Sequence, residues 1–533
     1  MINWAALSVF TFFFLFVTVL GFVAARWRRG DLNLLDEWGL AGRRFGTFVT
    51  WFVVGGDFYT AYTVIAVPAL VFGVGAAGFF ALPYTIIVYP FVFLTMPRLW
   101  AVAKQHGFIT PADFVRGRYG SSGLALAVAA TGMLATMPYI ALQLVGIQVV
   151  IKAMGIMGTG LMHELPLVIA FTILALYTYT SGLRAPALIA VVKDVMIYIM
   201  VIVAVTAIPA ALGGYGEVFR AAGGALAAKK PPGYLILPPA GFSAYATLAF
   251  GSALAAFVYP HTVTGVLSSS SGRVIKRNAA LLPAYTFLLG LIALLGLMAL
   301  AAGVKPATPN DAVPQLFLKI FPPWFTGFCF AAIAIGALVP AAIMSIAAAN
   351  TFTRNIYREY VNPDCTLRQE ARTAKIVSLV VKVGALAFVI FLPLQYAILL
   401  QLLGGIWILE TFPAIIFGLF TRWLHHRALL AGWVMGMVAG TAMVAASGFK
   451  SPIYTIHLGD LAVSAYAGVF ALALNLLVSI VLTPVCDAFG IKRLDDATRP
   501  DEYDDEAVEL LTTGTGGAAH WSPMPGQVPH RHG

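Results

Sequence analysis

The most informative chemical feature of this chain is a carboxylate inside a stretch that is apolar enough to cross a membrane. Asp57 follows the pair Gly55–Gly56 within the run from Phe45 to Val74. An ionised Asp at the centre of a membrane helix costs roughly 2.5–3.5 kcal/mol, and irregular backbone at that depth must line a cavity or be covered by protein. The stretch predicts either a broken helix that binds solute and ion, or a packing glycine pair beside an Asp that a neighbouring helix satisfies.

Other ionisable side chains also fall deep inside apolar stretches, and each is a functional candidate by default. Lys193 and Asp194 are neighbours in sequence, and adjacent helical residues do not share a face. We therefore expect Asp194 to point away from Lys193. Lys382 and Glu410 lie in two later apolar stretches, and we expect them to form a structural ion pair.

A second break is predicted at the Tyr259–Pro260–His261 sequence. A proline inside a helix frees a backbone carbonyl, so the site is either a broken helix or one that is merely capped or kinked. The two suspected breaks fall in the second and seventh predicted spans. A separation of five helices is expected of an inverted repeat that binds its solute at the repeat interface.

The composition defines an integral membrane protein. Of 533 residues, 60% are hydrophobic and only 11% are charged, which no soluble fold accommodates. Basic cytoplasmic loops account for the net charge of +10, so no nucleic-acid partner is implied. The three cysteines are few and far apart, and they predict neither a disulfide framework nor a metal cluster: Cys329, Cys365 and Cys486.

Hydropathy predicts about thirteen transmembrane helices. If they alternate, the basic segments all fall on one side, which the positive-inside rule makes cytoplasmic. The N-terminus is then outside and the C-terminus is inside a bacterial inner membrane. The basic segments are Arg26–Arg44, Arg98 to Arg118, Arg184, Arg273 to Arg277, Arg354–Lys375, and Arg422 with Arg427.

The chain ends in a polar tail, residues 487–533, that we expect to be disordered. It contains an acidic run, Asp501–Glu509, followed by Gly, Pro and His. Its histidines could bind metal, but an unliganded tail is the simpler expectation: His520, His530 and His532.

Several motifs are weak singly and specific in their order. They are Gly55-Gly56-Asp57-Phe58, Thr110-Pro111-Ala112-Asp113-Phe114 before Arg118-Tyr119-Gly120, Tyr139-Ile140-Ala141-Leu142-Gln143, Tyr179-Thr180-Ser181-Gly182-Leu183, Ala341-Ala342-Ile343-Met344-Ser345, and Arg354-Asn355-Ile356-Tyr357. Together they resemble the motifs of the sodium:solute symporter family. Within that family, the residues from Asp57 to Thr63 and the apolar segment after them are similar to the bacterial monocarboxylate permease branch.

The resemblance implies an all-α integral membrane protein with the LeuT-type five-plus-five inverted repeat. One extra helix precedes the repeats and two follow them. The implied divisions are residues 1–30 for the extra N-terminal helix, 40–215 for the first repeat, 216–420 for the second, 425–486 for the two C-terminal helices, and 487–533 for the tail.

The resemblance also implies where an ion would bind. In the family, a sodium ion uses two carbonyls of the first core helix, and a carbonyl and two hydroxyls of the eighth. Here the carbonyls are those of Gly55, Phe58 and Ala342, and the first hydroxyl is that of Ser345. The second hydroxyl position is Ile346, which has no oxygen to offer.

The fifth core helix departs from the family as well, because Ala190 and Lys193 stand where an Asp and a Gln are common. Lys193 and Ser345 both lie roughly 12–14 Å from the cytoplasmic end of their helices, so they can share a level. In proton-coupled relatives of this fold a lysine takes the place of the sodium ion, and a buried lysine can exchange its proton. We therefore expect proton coupling through Lys193, with sodium coupling and uniport as alternatives.

A monocarboxylate substrate needs a positive potential and hydrogen-bond donors, which the half-helix beginning after Gly55–Gly56 supplies. Asp57 is awkward beside an anion unless it faces away, is protonated or bonds to backbone amides. His261 could assist proton release. The candidate substrate-binding residues are Gly56, Phe58, Tyr59, Thr60, Tyr84, Gln143, Tyr259, His261 and Trp407.

The predicted function is import of short monocarboxylates such as lactate, pyruvate, acetate or propionate by alternating access, with a proton as the coupling ion and no cofactor. The alternative is a sodium-coupled relative for monocarboxylates, for amino acids such as alanine or proline, or for another small solute. An amino acid would need Asp57 or Glu410 for its ammonium. An enzyme is not expected, because the spans carry no recognisable catalytic motif. The expected partners are the organic anion and the bilayer, with the chain a monomer or a loose oligomer.

Overall fold

The computed structural model describes residues 2–27, 30–57, 59–156, 165–391, 398–459 and 461–514. The described residues are nearly all helical, with one short hairpin. A helix pairs its backbone groups within itself, which is what a long apolar stretch requires in a bilayer without water. The predicted class, an all-α integral membrane protein, is therefore confirmed.

The first half of the chain contains eleven of the α-helices described. They are α1 (Trp4–Val23), α2 (Leu35–Leu40), α3 (Thr47–Thr50), α4 (Val67–Val74), α5 (Ala81–His106), α6 (Pro111–Tyr119), α7 (Ser122–Ala153), α8 (Leu165–Ser181), α9 (Arg184–Ala211), α10 (Tyr215–Ala227) and α11 (Phe242–Ala256).

The second half contains the other α-helices of the described residues and an antiparallel hairpin in which Ile453 pairs with Tyr466. The elements are α12 (Pro260–Leu267), α13 (Gly272–Leu281), α14 (Pro283–Ala301), α15 (Ala312–Ile320), α16 (Pro323–Phe352), α17 (Leu367–Phe391), α18 (Ile398–Leu409), α19 (Phe412–Ile416), α20 (His426–Ala446), β1 (Ile453–Leu458), β2 (Leu461–Tyr466), α21 (Ala467–Ala488) and α22 (Asp505–Gly514).

Eight helical spans in the described part of the chain are long and apolar enough to cross a membrane, or ten if each of two bent pairs counts as one span. Two shorter apolar helices, Tyr62–Val74 and Leu167–Ser181, add to these. The predicted number of thirteen and the predicted division into repeats stay predictions.

The core forms around α16, whose most apolar stretch is entirely buried. This helix packs against α1, α7, α9 and α17. Its sequence is rich in alanine, and small residues let membrane helices approach closely. A similar close approach occurs beside the first break, where a Cβ added to Gly146 of α7 would lie 2.3 Å from the Cβ of Ala61.

The structure confirms both predicted breaks. In the first broken helix, α3 continues as a π-helix over Trp51–Gly55, and helical structure resumes at Tyr62–Ala66 before α4. In the second, α11 and α12 meet at a bend of 49° next to Pro260. A further bend of 53° separates α18 from α19.

Most of the basic loops meet on one face of the protein, here called the basic face, as the predicted alternation of helices requires. Arg43 donates to the carbonyl of Phe108 at 2.6 Å, and Arg118 donates to the carbonyl of Gly418 at 3.1 Å. The Asn355 side chain joins α6 to the end of the α16 helix. The prediction that this face is cytoplasmic remains a prediction.

The tail after Asp487 differs from the sequence-based expectation, because its described part is docked on the basic face. The backbone N–H of Ala497 donates to the carbonyl of Gly117 at 2.8 Å. Glu502 lies 2.7 Å from His106, and Tyr503 is buried. The acidic run was expected to remain in solvent, but it meets cations that are distant in sequence. The tail histidines lie outside the described residues.

Candidate functional site

The two broken helices face each other through a buried acid–imidazole contact. Oδ2 of Asp57 lies 3.4 Å from Nε2 of His261, and the two residues are 8% and 1% exposed. Asp57 follows the end of the first half-helix, and His261 lies in the first turn of α12, directly after Pro260 at its start. The breaks thus bring together two residues that are about 200 positions apart in sequence.

Aromatic rings surround this contact. The ring centroid of Tyr139 lies 5.3 Å from that of His261, and the ring of Tyr259 lies 5.2 Å from it. Oδ1 of Asp57 and Nδ1 of His261 are buried and have no hydrogen-bond partner among the described residues. Unpaired buried polar atoms are costly, so this pair has the capacity to bind a small polar ligand.

Two of the predicted substrate residues shape the first break instead of offering free polar atoms. Oε1 of Gln143 accepts a hydrogen bond from the backbone N–H of Ala61 at 3.0 Å. Oγ1 of Thr60 accepts one from the backbone N–H of Tyr62 at 3.0 Å. These side chains pair donors at the start of the second half-helix and fix its position. Tyr84 lies next to Tyr62, with the ring centroids 6.4 Å apart.

Lys193 of α9 reaches the first break from the other side. Its ammonium donates to the carbonyl of Gly56 and to that of Tyr59 at 3.0 Å, and the side chain is fully buried. These carbonyls are three residues apart, as are those of the predicted sodium site, but each lies one position later than Gly55 and Phe58. Phe58 itself lies outside the described residues.

The expectation that Asp194 points away from Lys193 is wrong. Oδ1 of Asp194 lies 3.1 Å from the ammonium of Lys193, and Tyr285 donates to its Oδ2 at 2.7 Å. The rule that neighbours do not share a face describes the directions of Cβ atoms, whereas the long lysine side chain folds back to its neighbour. The ammonium is therefore both paired with a carboxylate and bonded to two carbonyls, as a buried charge requires.

The remaining predicted ion-site residues lie on α16. The Ser345 hydroxyl donates to the carbonyl of Ala342 at 2.8 Å, and it lies 3.4 Å from the Ser378 hydroxyl of α17. The Ser378 hydroxyl is also 2.8 Å from the ammonium of Lys382. Ile346 is buried. The oxygens predicted for sodium on this helix thus bond to each other and to α17.

The predicted ion pair between Lys382 and Glu410 does not form. In the part of the chain described, the Lys382 ammonium contacts Ser378, while Glu410 accepts a hydrogen bond from Asn475 of α21 at 2.9 Å. The bend between α18 and α19 turns Glu410 toward the C-terminal helices. Neither residue joins the Asp57–His261 contact.

Two other predicted substrate residues lie away from that contact. The Tyr59 hydroxyl donates to the carbonyl of Tyr285 at 3.3 Å, so its ring packs on the α9 and α14 side. The indole N–H of Trp407 donates to Thr441 of α20 at 3.1 Å. The structure thus brings the predicted substrate residues His261 and Tyr259 together with Asp57, and it does not bring in Tyr59 or Trp407.

Tyr139 and Tyr285 are site residues that sequence reasoning did not select. Tyr139 precedes Gln143 by one helical turn, so its spacing placed both on one face of α7. Tyr285 gave no such signal, because its role depends on the packing of α14 against α9. Among the described residues, no cluster of three or more His, Cys, Asp or Glu side chains could hold a metal ion.

A helical membrane protein whose two broken spans meet at a buried polar site has the architecture of a secondary transporter. The family model for the sodium:solute symporter family matches residues 38–440. The chain belongs to this family and is a multi-pass membrane symporter.

The comparisons with individual proteins agree with this assignment. A monocarboxylate transport permease protein of Rhizobium johnstonii is 61% identical over 488 residues, which cover 91% of this chain and 98% of the relative. The uncharacterized symporter YodF of Bacillus subtilis is 32% identical over 488 residues, covering 91% of this chain and 94% of YodF. The solved structure of a Na+-coupled sialic acid symporter, in a substrate-bound outward-open state, matches the fold with a TM-score of 0.71 at 16% identity, covering 90% of this chain and 97% of that one.

Proposed function

We propose that this protein imports short monocarboxylates, such as lactate and pyruvate, together with protons across the bacterial inner membrane. The substrate class is supported by the relative named as a monocarboxylate transport permease protein, which is 61% identical to this chain over 91% of its length. The polar contact between the broken helices supports a small polar solute, since it comprises one carboxylate and one imidazole enclosed by tyrosines.

The observation that carries the choice of coupling ion is the position of the Lys193 ammonium. It bonds to the carbonyls of Gly56 and Tyr59, which have the spacing of the family's sodium ligands. An ammonium there repels a sodium ion and replaces its positive charge. Ile346 supports the same choice, because it supplies no hydroxyl. Release of a proton from Lys193 and its return would then serve as the coupling step, in the role that release and binding of sodium have in relatives.

Release of that proton would weaken the contact that holds the unwound segment between the two halves of the first broken helix. A neutral amine bonds to carbonyls less strongly than an ammonium does, so the hold of α9 on the unwound segment weakens. Asp194 and Tyr285 then keep the remaining charge within a hydrogen-bonded group. The proposed cycle therefore links protonation of one side chain to the position of the unwound segment.

The proposal is tested by uptake of labelled lactate and pyruvate into proteoliposomes, with a proton gradient and a sodium gradient imposed separately. Accumulation driven by inward protons in the absence of sodium is the expected result. Accumulation that requires sodium would favour the alternative ion, and it would mean that the site tolerates Ile346. No uptake of either acid under both gradients would refute the proposed substrate class.

A further inference from the structure

The contact between Asp57 and His261 poses an electrostatic problem for an anionic substrate. The ionisable groups that act on Asp57 are Lys193 of α9, Tyr84 of α5 and Tyr139 of α7. The phenols are neutral, and the charge of Lys193 is already balanced by Asp194. An ionised Asp57 therefore leaves the empty site with one excess negative charge when His261 is neutral.

A second carboxylate entering this site would be repelled. Two like charges about 4 Å apart, at the effective dielectric constant that describes protein sites, repel strongly enough to lower affinity by about a thousandfold. The His261 imidazole is the nearest group that can relieve this repulsion, because it lies 3.4 Å from Asp57 and its Nδ1 has no partner among the described residues.

We propose that Asp57 is an internal stand-in for the carboxylate of the substrate. In the empty transporter Asp57 holds the imidazole of His261. When the substrate binds, its carboxylate replaces Asp57 as the partner of the imidazole. The group of two carboxylates and one imidazole then takes up one proton from the water on the side of entry. That proton leaves with the substrate on the opposite side, so charge and protons balance over the cycle. It moves in addition to the proton of Lys193, which controls the position of the unwound segment. This inference rests on the proposed function, and it assigns recognition of the carboxylate to His261.

The location of the pair explains why such an exchange would be coupled to transport. Asp57 belongs to the first broken helix and His261 to the second, so their contact links the two breaks when no substrate is present. A substrate that replaces Asp57 restores an equivalent link between its carboxylate and α12. The transporter can close around the site when His261 is bonded either to Asp57 or to the carboxylate of the substrate. It cannot close when His261 is bonded to neither.

The test compares the pH dependence of the apparent KM for lactate in the wild-type protein and in Asp57→Asn. Uptake of one linked proton by this group predicts that it contributes up to tenfold per pH unit to the rise in the wild-type KM as the solution becomes more alkaline. Asn has nearly the shape of Asp but no charge, so Asp57→Asn should lose this contribution between about pH 5.5 and 8 and keep only the slope that Lys193 gives. His261→Gln should raise the KM about 10- to 100-fold, as expected for loss of a hydrogen bond to a charged group.

Glu410→Gln is the matched control, because it neutralises a buried carboxyl that bonds to Asn475 instead of His261. It should keep the wild-type slope. If Asp57→Asn does not reach the membrane, equilibrium binding of labelled lactate to solubilised His261→Gln at several pH values gives the second measurement. Unchanged affinity in His261→Gln, or a wild-type slope in Asp57→Asn, would overturn the inference while leaving proton-driven uptake by the wild type intact. Absence of uptake by the wild type would instead refute the proposed function.

Discussion

The sharpest prediction concerns replacement of Lys193 by methionine, which keeps most of the side-chain volume and removes the charge. The change leaves the Gly56 and Tyr59 carbonyls without their donor and Asp194 without its cation. Removal of one partner from a buried ion pair typically costs about 3–5 kcal/mol. We expect Lys193→Met to lower the melting temperature in detergent clearly and to abolish accumulation driven by a proton gradient.

A double replacement separates stability from coupling. In Lys193→Met with Asp194→Asn both charges are gone, and replacement of a whole buried pair is often nearly neutral. The double variant should therefore recover most of the lost stability, with an interaction energy of at least about 1 kcal/mol in the double-mutant cycle. It should still equilibrate substrate down its gradient, but it should not accumulate substrate in response to protons.

The control is Lys382→Met, which removes the other buried lysine. In the described residues its ammonium contacts Ser378 and no carboxylate, so we expect proton-driven accumulation to persist. Normal accumulation in Lys193→Met, measured as labelled lactate retained at steady state in proteoliposomes, would refute the assignment of Lys193. Equal loss of accumulation in both lysine variants would refute its specificity.

Two further predictions follow from neighbouring contacts. Tyr285→Phe removes the hydrogen bond to Asp194 and should destabilise the protein by about 1.5–3 kcal/mol, measured by thermal unfolding; no change in melting temperature would show that this bond is dispensable. For the docked tail, burial raises the pKa of Glu502, but hydrogen bonds from His106 and from the Arg499 backbone outweigh it and lower that pKa below 4.5. A lowered carboxyl pKa contributes stability above the unfolded value, and this is lost as the pH falls through the folded value. Proteolysis of the tail should therefore accelerate below about pH 4 and remain constant above about pH 5.5; a constant rate throughout would contradict the contact.

The breaks could be predicted because their signals are local. A glycine pair with an Asp in an apolar run, and a proline before a histidine, disturb a helix wherever it lies. The sequence could not show which backbone carbonyls of the first break would bind the ion or its substitute. Unwound backbone has no fixed period, and the carbonyls that Lys193 contacts are those of Gly56 and Tyr59.

The errors in side-chain pairing arise from distances that the sequence does not contain. We expected Trp407 in the substrate site, but the rotation of α18 directs it to α20. We expected Glu410 to pair with Lys382 of α17, but the bend after α18 directs it to α21. Packing between helices sets that rotation. The docking of Glu502 on His106 likewise depends on two segments nearly 400 residues apart, so composition alone gave the wrong expectation of a solvated tail.

The most direct test of the central claim is simultaneous measurement of proton and lactate movement in sodium-free proteoliposomes. A pH-sensitive dye inside the vesicles reports protons, and labelled lactate reports the substrate. The account predicts that lactate added outside acidifies the interior in step with its uptake in the wild type, and that Lys193→Met loses accumulation against a gradient. Lactate uptake without acidification, or uptake that begins only when sodium is added, would contradict proton coupling.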